Sequence, residues 1–441
     1  NQKRRQSTLM SAVVLLALAP CAVASSNALS ARGLSALPRA TVRMGLSDGR
    51  QSGAAARREV LQSAGGLAIA ATLQGALPEA ALAAAAMNKA SSAGSAVNKD
   101  ADSLLRLGLP INCKEVRELA KELEEAKGNS AKALWSKAAN NVKNAKSILS
   151  GKRKAILAKV AQGSGDKANV LLDSASADVD VLEAAVSEGK LEKAVEAEGA
   201  AVAKVGEVQE LMVGAFPYDV PEEYKGLPRL LGRATVRMEL KRGPKSEESK
   251  FQIDGELKDR ITVTLLLDGY NAPITAGNFL DLVNKGFYNG MEIQRSDGFV
   301  VQTGDPRGVD QEKPDAPVGY VENGKIRNVP LEVFPAGAKS PIYGATFDEE
   351  GYGGAASTLP FQAYGALGMA REEYEADSAS SQWFWLLFDS DLTPAGKNLL
   401  DGRYSCFGYT IDNAESLRAV KVGDVIVSAK VMTGGDKLVT S

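Results

Sequence analysis

The sequence predicts a multidomain protein, an all-α helical bundle followed by a closed β-barrel capped by helices. Three observations lead there. The chain has 441 residues, too many for one core. Between about 110 and 215, apolar residues recur at three- and four-residue steps, the period of amphipathic helices. From 233 the period drops to two, and many short strands follow one another.

Composition narrows the chemistry. The formal net charge is −2, but residues 1–83 hold nine Lys/Arg and three Asp/Glu. The remainder has 43 basic and 51 acidic residues, a net of −8. So acidic a body speaks against sequence-independent nucleic-acid binding, which needs a basic face. There is no His. His-based acid–base catalysis, Ser-His-Asp or Cys-His nucleophiles and His-ligated metals are therefore excluded. Cys21, Cys113 and Cys406 lie far apart with no CxxC, so no metal site and no cofactor is expected. For Cys113 and Cys406, one disulfide and two free buried thiols are both open.

Residues 1–86 read as a targeting region with three blocks in order. "LMSAVVLLALAPCAVASS" (9–26) follows a basic "KRR" and ends in the small-x-small site Ala22-Val23-Ala24, a secretory signal. Residues 27–53 are rich in Ser and Arg with Asp48 their only acid, a transit-peptide composition. Arg57-Arg58, a mild apolar run and Ala81-Leu82-Ala83 then resemble a twin-arginine export signal. That order predicts passage into a complex plastid and on to the thylakoid lumen, with a mature start near Ala84. From about Met87 no run is long enough to span a bilayer, so the mature form is expected to carry no membrane span.

The helical domain is expected over 110–215. Asn112 and Glu115 have capping-box spacing, and Val116, Leu119, Leu123 and Ala126 follow on one face. Gly128-Asn129-Ser130 is expected to break that helix. A second helix is predicted over 131–161, with Leu134, Ala138, Val142, Ala145 and Leu149 on one face. A third is predicted over 167–187. The fourth is predicted over 190–213, with Leu191, Val195, Val202, Val205 and Leu211 facing the core. Short turns make this an antiparallel bundle; a partner-binding coiled coil is the alternative. Residues 216–232, with their prolines and aromatics, read as a fixed connector.

The β-rich domain is expected over 233–435. Strands are predicted at 233–242, 259–270, on both sides of Ser296-Asp297-Gly298, and at 362–370, 381–388, 402–410 and 423–432, with a helix at 272–290. "APITAGNFLDLVNKGFYNG", "GFVVQTGDP", "GALGMA", "SSQWFW" and "LLDGRYSCFG" resemble, in order, the signature segments of cyclophilins. "FPYDVPEEY" and "DGYNAPITAGNF" are similar to the large multidomain thylakoid-lumen subgroup. The resemblance implies a peptidyl-prolyl cis-trans isomerase. Its partners would be prolyl segments of lumenal or thylakoid-membrane proteins, photosystem II subunits among them.

Residue by residue, the resemblance implies that Arg295 donates to the prolyl nitrogen and that Gln302 holds the substrate carbonyl or orients Arg295. Phe299, Val300, Phe384 and Leu400 would line the proline pocket, and Ala370 would meet the peptide backbone. Leu399 and Tyr404 stand where the family often has Trp and His. "SDGF" is one residue shorter than the family's usual run after the Arg, and Val300 replaces a longer side chain. An insertion from Arg307 to beyond Gly354 is a candidate cover for the groove. These departures favour a weak or silent isomerase. Three readings stay open: an enzyme, a client-binding scaffold, and docking of the bundle on a membrane-bound enzyme.

Overall fold

In the computed structural model, which describes residues 97–244, 246, 248–388 and 398–440, helices occupy the first part of the described residues. The targeting segments read over 1–86 lie outside the described residues. Helix α1 spans Ala101–Leu107, α2 Lys114–Ala131, α3 Trp135–Gly151, α4 Arg153–Leu157, α5 Gly165–Ser187 and α6 Leu191–Glu210. Among the described residues, no helix is long and apolar enough to cross a membrane.

The helices depart from the sequence reading in instructive places. Cys113, not Asn112, is the N-cap residue of α2, and it makes no side-chain cap bond. Gly128-Asn129-Ser130 does not break α2; the Ser130 hydroxyl donates to the Ala126 carbonyl one turn back. The second helix is interrupted at Lys152. The fourth presents Ala194, Ala197, Ala201, Val205 and Val208 to the core, leaving Leu191 and Val195 exposed. Alanine lets α5 and α6 approach closely, so the small residues and not the largest ones mark the contact. Cys113 and Cys406 are both free and buried.

The second part of the chain is a curled antiparallel sheet. Its strands are β1 (Arg233–Lys241), β2 (Arg260–Asp268), β3 (Ile293–Ser296), β4 (Val300–Thr303), β5 (Ala366–Met369), β6 (Trp383–Leu386), β7 (Cys406–Asp412) and β8 (Val425–Thr433). Their order is β8-β1-β2-β7-β5-β6-β4-β3. The closed barrel expected from the sequence is found as this curled sheet. Its outer strands meet at the bridge of Glu292 with Val425, and the Gly290 and Ile293 amides donate to the Ile426 and Asp424 carbonyls while the Ile426 and Gly423 amides donate to those of Met291 and Ile293. Helix α7 (Pro273–Asn284) fills the concave side. Phe279 meets Trp383 edge-on at 5.0 Å and stacks on Tyr288 at 5.1 Å. Burying such rings stabilises by roughly 1.5–3 kcal/mol each.

The connector lies on the sheet domain. Phe216 packs with Tyr270 at 6.5 Å, and Tyr218 meets Phe334 edge-on at 5.3 Å. Arg233 joins the two parts. Its buried guanidinium donates to Asp268 at 2.6 Å, to Glu210 at the end of α6 at 3.2 Å, and to the Leu105 carbonyl of α1 at 2.6 Å. Arg233→Ala is expected to lower stability by about 3–5 kcal/mol, because Asp268 would stay buried without its counter-charge. Denaturant unfolding of the variant measures this; an unchanged midpoint would contradict it.

A second charged cluster lies between α1, α2 and α6. Arg106 reaches Glu124 at 2.8 Å, and Lys127 lies 3.5 Å from Asp100 and 3.6 Å from Glu198. Glu198 is fully buried, and neither of its carboxylate oxygens has a hydrogen-bond partner among the described residues. Burial pushes its carboxyl up to about 7, against the pull of Lys127. The folded state therefore holds a proton that the unfolded chain releases near the ordinary value of 4.5. This stability is present below that value and is lost as pH rises through about 7. The expected outcome is a melting temperature that falls between about pH 5 and pH 8. Glu198→Gln should make that fall shallower.

Candidate functional site

Strand alternation decides which side chains can meet, because directly opposed residues on neighbouring strands share a face. Arg295 on β3 lies opposite Gln302 on β4, Gln302 opposite Phe384 on β6, and Phe384 opposite Gly368 on β5. A parallel row on the same face runs through Val300, Leu386, Ala366 and Tyr409. The residues between them, Val301, Trp385 and Leu367, point to the opposite face and are fully buried in the core. The structure thus brings Arg295, Val300, Gln302 and Phe384 together on the convex face. Residues 300 and 302 need no distortion to share it. Phe299 stands outside the alternation, because β4 begins at Val300. It is 40% exposed and stacks on Phe388 at 5.5 Å. The irregularity in register falls in β3, between Ile293 and Arg295.

The apolar part of this face is covered. Phe384 is 6% exposed and Val300 9%. Phe361, from the segment inserted before β5, stacks on Phe384 at 6.0 Å and 17°, and Tyr404 meets the same ring edge-on at 6.1 Å. Two hydrogen bonds hold this cover. The Tyr409 hydroxyl donates to the Pro360 carbonyl at 2.5 Å, and the Phe361 amide donates to Asp401 at 2.8 Å. Leu104 and Leu105 of α1 join the same cluster, and Ala370, Leu400 and Tyr404 lie at its margin, half-buried. Leu399 is 54% exposed and outside the cluster. Gly368 makes room for the Phe384 ring; a Cβ there would lie 2.2 Å from its Cζ.

Beside Phe361 is a cavity of about 10 Å³, lined also by Asn271, Glu332, Tyr404 and Cys406. That is roughly the space one water needs. Glu332 accepts from the amides of Ile274 at 2.9 Å and Thr275 at 2.6 Å, at the start of α7. Burial pushes its carboxyl up to about 7 in spite of these donors.

The polar end of the face is arranged around Arg295. Its guanidinium rests on Asp297, with Nε at 2.6 Å and a terminal nitrogen at 2.5 Å from the same carboxylate oxygen. The other oxygen of Asp297 accepts from the amides of Phe299 and Val300, both at 3.0 Å. Burial pushes the Asp297 carboxyl up, but those amides and Arg295 together hold it below the ordinary value. Gln302 donates to Gln382 at 3.3 Å, and Gln382 donates to the Val318 carbonyl at 3.1 Å. Arg371 lies over the Tyr404 ring at 5.1 Å.

Sequence reasoning missed Asp297, Phe361, Gln382, Arg371 and the α1 leucines. Asp297-Gly298 carries a turn signal, with Gly298 at φ +83°, but not the partner of its carboxylate. Gln382 stands in the quoted "SSQWFW" segment and falls two residues from Phe384, on the opposite side of Trp383 along the strand.

Comparison with known proteins gives the family. Residues 240–437 match the family described as cyclophilin-type peptidyl-prolyl cis-trans isomerase, and residues 100–213 match the PsbQ-like domain of CYP38-like peptidyl-prolyl cis-trans isomerases. The chain is 43% identical over 348 residues to peptidyl-prolyl cis-trans isomerase CYP38, chloroplastic, of Arabidopsis thaliana, covering 77% of this chain and 75% of that protein. It is 40% identical over 341 residues to a putative thylakoid lumen peptidyl-prolyl cis-trans isomerase of Synechocystis, covering 77% and 84%. To the chloroplastic CYP37 of Arabidopsis thaliana it is 33% identical over 238 residues, 53% of this chain and 47% of that one.

Gly368→Ala is expected to force the Phe384 ring aside and cost about 1–3 kcal/mol of stability. Thermal unfolding measures it, and a variant as stable as wild type would show that the ring has room to move.

Proposed function

Since the chain belongs to the cyclophilin-type peptidyl-prolyl cis-trans isomerase family, we propose that it binds X–Pro segments along the convex face of β3, β4, β6 and β5 and turns them over slowly, in the thylakoid lumen of a plastid. The clients are prolyl segments of lumenal or thylakoid-membrane proteins, photosystem II subunits among them, whose assembly and maintenance it assists. The names of its relatives support the compartment.

The observation that carries the activity is the cross-strand row Arg295–Gln302–Phe384. The uncatalysed barrier is about 18–20 kcal/mol, because conjugation keeps the amide planar. Twisting the bond breaks that conjugation and makes the prolyl nitrogen more basic. A guanidinium donating to that nitrogen stabilises the twisted state more than the planar one. Arg suits this because it stays charged and needs no proton exchange. Phe384 and Val300 supply an apolar floor for the ring, and Ala370 and Gln302 flank the peptide backbone. Phe299, Leu400 and Tyr404 form the margin, with Leu399 exposed beside it.

The second reading is a catalytically silent scaffold that holds client loops. The burial of Phe384 under Phe361 favours it, since a proline ring reaches Phe384 only after that cover moves.

Arg295→Ala is expected to lower kcat/KM for a prolyl peptide by about tenfold or more, since a transition-state donor of this kind is worth at least about 1.4 kcal/mol. The melting temperature should barely change. Wild-type protein that binds the peptide without isomerising it would select the scaffold. No binding at all would overturn both readings.

A further inference from the structure

We propose that Asp297 is a positioning residue that holds the Arg295 guanidinium away from the prolyl nitrogen, so that its carboxylate sets the isomerase rate. This rests on the role of Arg295 given above. The geometry is specific. One oxygen of Asp297 takes the guanidinium through two nitrogens, at 2.6 and 2.5 Å, while the other closes the turn on the amides of Phe299 and Val300. Gln302, directly across from Arg295, is turned to Gln382. The turn from Ser296 to Phe299 is short enough for a carboxylate at 297 to reach both its own backbone and the preceding Arg.

Two consequences follow from the pairing. The guanidinium donors nearest the turn are occupied, and the charge that would stabilise a basic nitrogen is neutralised at close range. Catalysis then proceeds only from the fraction of molecules in which the pair is open, and the observed rate is scaled by that fraction. The pair is partly exposed, Arg295 at 26% and Asp297 at 37%, so its strength is that of a surface pair.

Asp297→Asn separates the two duties. The asparagine carbonyl oxygen can still accept from both amides, but the charge is gone. In the full chain, Asp297→Asn is expected to raise kcat for a prolyl peptide by about two- to fivefold, with KM and melting temperature little changed. Adding Arg295→Ala to it should abolish the gain. Asp297→Ala removes the turn acceptor as well, and should raise KM and lower the melting temperature.

If Arg295→Ala lowers kcat while Asp297→Asn leaves it unchanged or lowers it, the pinning is wrong and the role of Arg295 stands. If Arg295→Ala changes nothing, the role of Arg295 itself fails. A readout free of turnover is solvent exchange at the Arg295 Nε–H, followed by nitrogen-15 NMR. Protection in wild type and its loss in Asp297→Asn supports the pairing, and equal exchange in the two overturns it whatever the activity.

Discussion

Successive side chains along a strand must point to opposite faces of a sheet, and this constraint organises the rest of the molecule. In β4 and β6 it sends Val301, Trp383 and Trp385 into the core against Phe279. It necessarily sends Val300, Gln302, Phe384 and Leu386 outward. Three of those four are apolar. A convex face of that composition cannot be left to water without a cost of roughly 25 cal/mol per Å² of apolar surface. The chain meets this by laying other segments over it, with Phe361 on Phe384 and Leu104 and Leu105 of α1 in the same cluster. The proposed proline-binding face and the docking surface of α1 are therefore two uses of one apolar face.

Holding α1 there requires fixed polar contacts, since a seven-residue helix has little stability of its own. Arg233 supplies one by donating to the Leu105 carbonyl while paired with buried Asp268. Arg117 donates to the carbonyls of Leu107 and Leu109 at 3.2 and 2.8 Å, which closes the other side of the helix end. Arg106 points the opposite way, into the bundle, and pairs with Glu124. One short helix thus joins both parts of the chain through three guanidinium groups. Two of its last-turn carbonyls, those of Leu105 and Leu107, are satisfied from outside, and those of Leu104 and Arg106 accept from the amides of Gly108 and Leu109.

How much of this the sequence could show depends on what each feature leaves in the period of the residues. Most of the strands that build the convex face were legible as short apolar runs next to Gly- and Asp-bearing turns, although "ALGM" and "WFWL" are buried throughout and show no alternation. The placement of Arg295, Val300, Gln302 and Phe384 on one face is settled by register, which the sequence implies only through the family it resembles. Phe361 was illegible because it comes from a long inserted segment with no regular period. Helix α1 is too short for a period to be read. In the fourth helix Val202 and Val205 face the core as read, but Leu191 and Val195 at its start are exposed. Close packing of α5 and α6 selects the alanines instead.

The turn at 296–299 shows how a local requirement reaches the chemistry. Closing so short a turn leaves the amides of Phe299 and Val300 pointing inward, and a buried amide without a partner is costly. A carboxylate at 297 satisfies both with one oxygen. That leaves its second oxygen charged and unpaired two residues after Arg295, and on this strand the guanidinium is within reach. An asparagine would have met the needs of the turn without capturing the guanidinium. The choice of aspartate therefore couples the turn that sets Phe299 and Val300 to the Arg295 guanidinium, the group proposed to act on the prolyl nitrogen. In a protein with no histidine, the proposed chemistry exchanges no proton, and under that proposal this ion pair is a direct electrostatic means of tuning the rate.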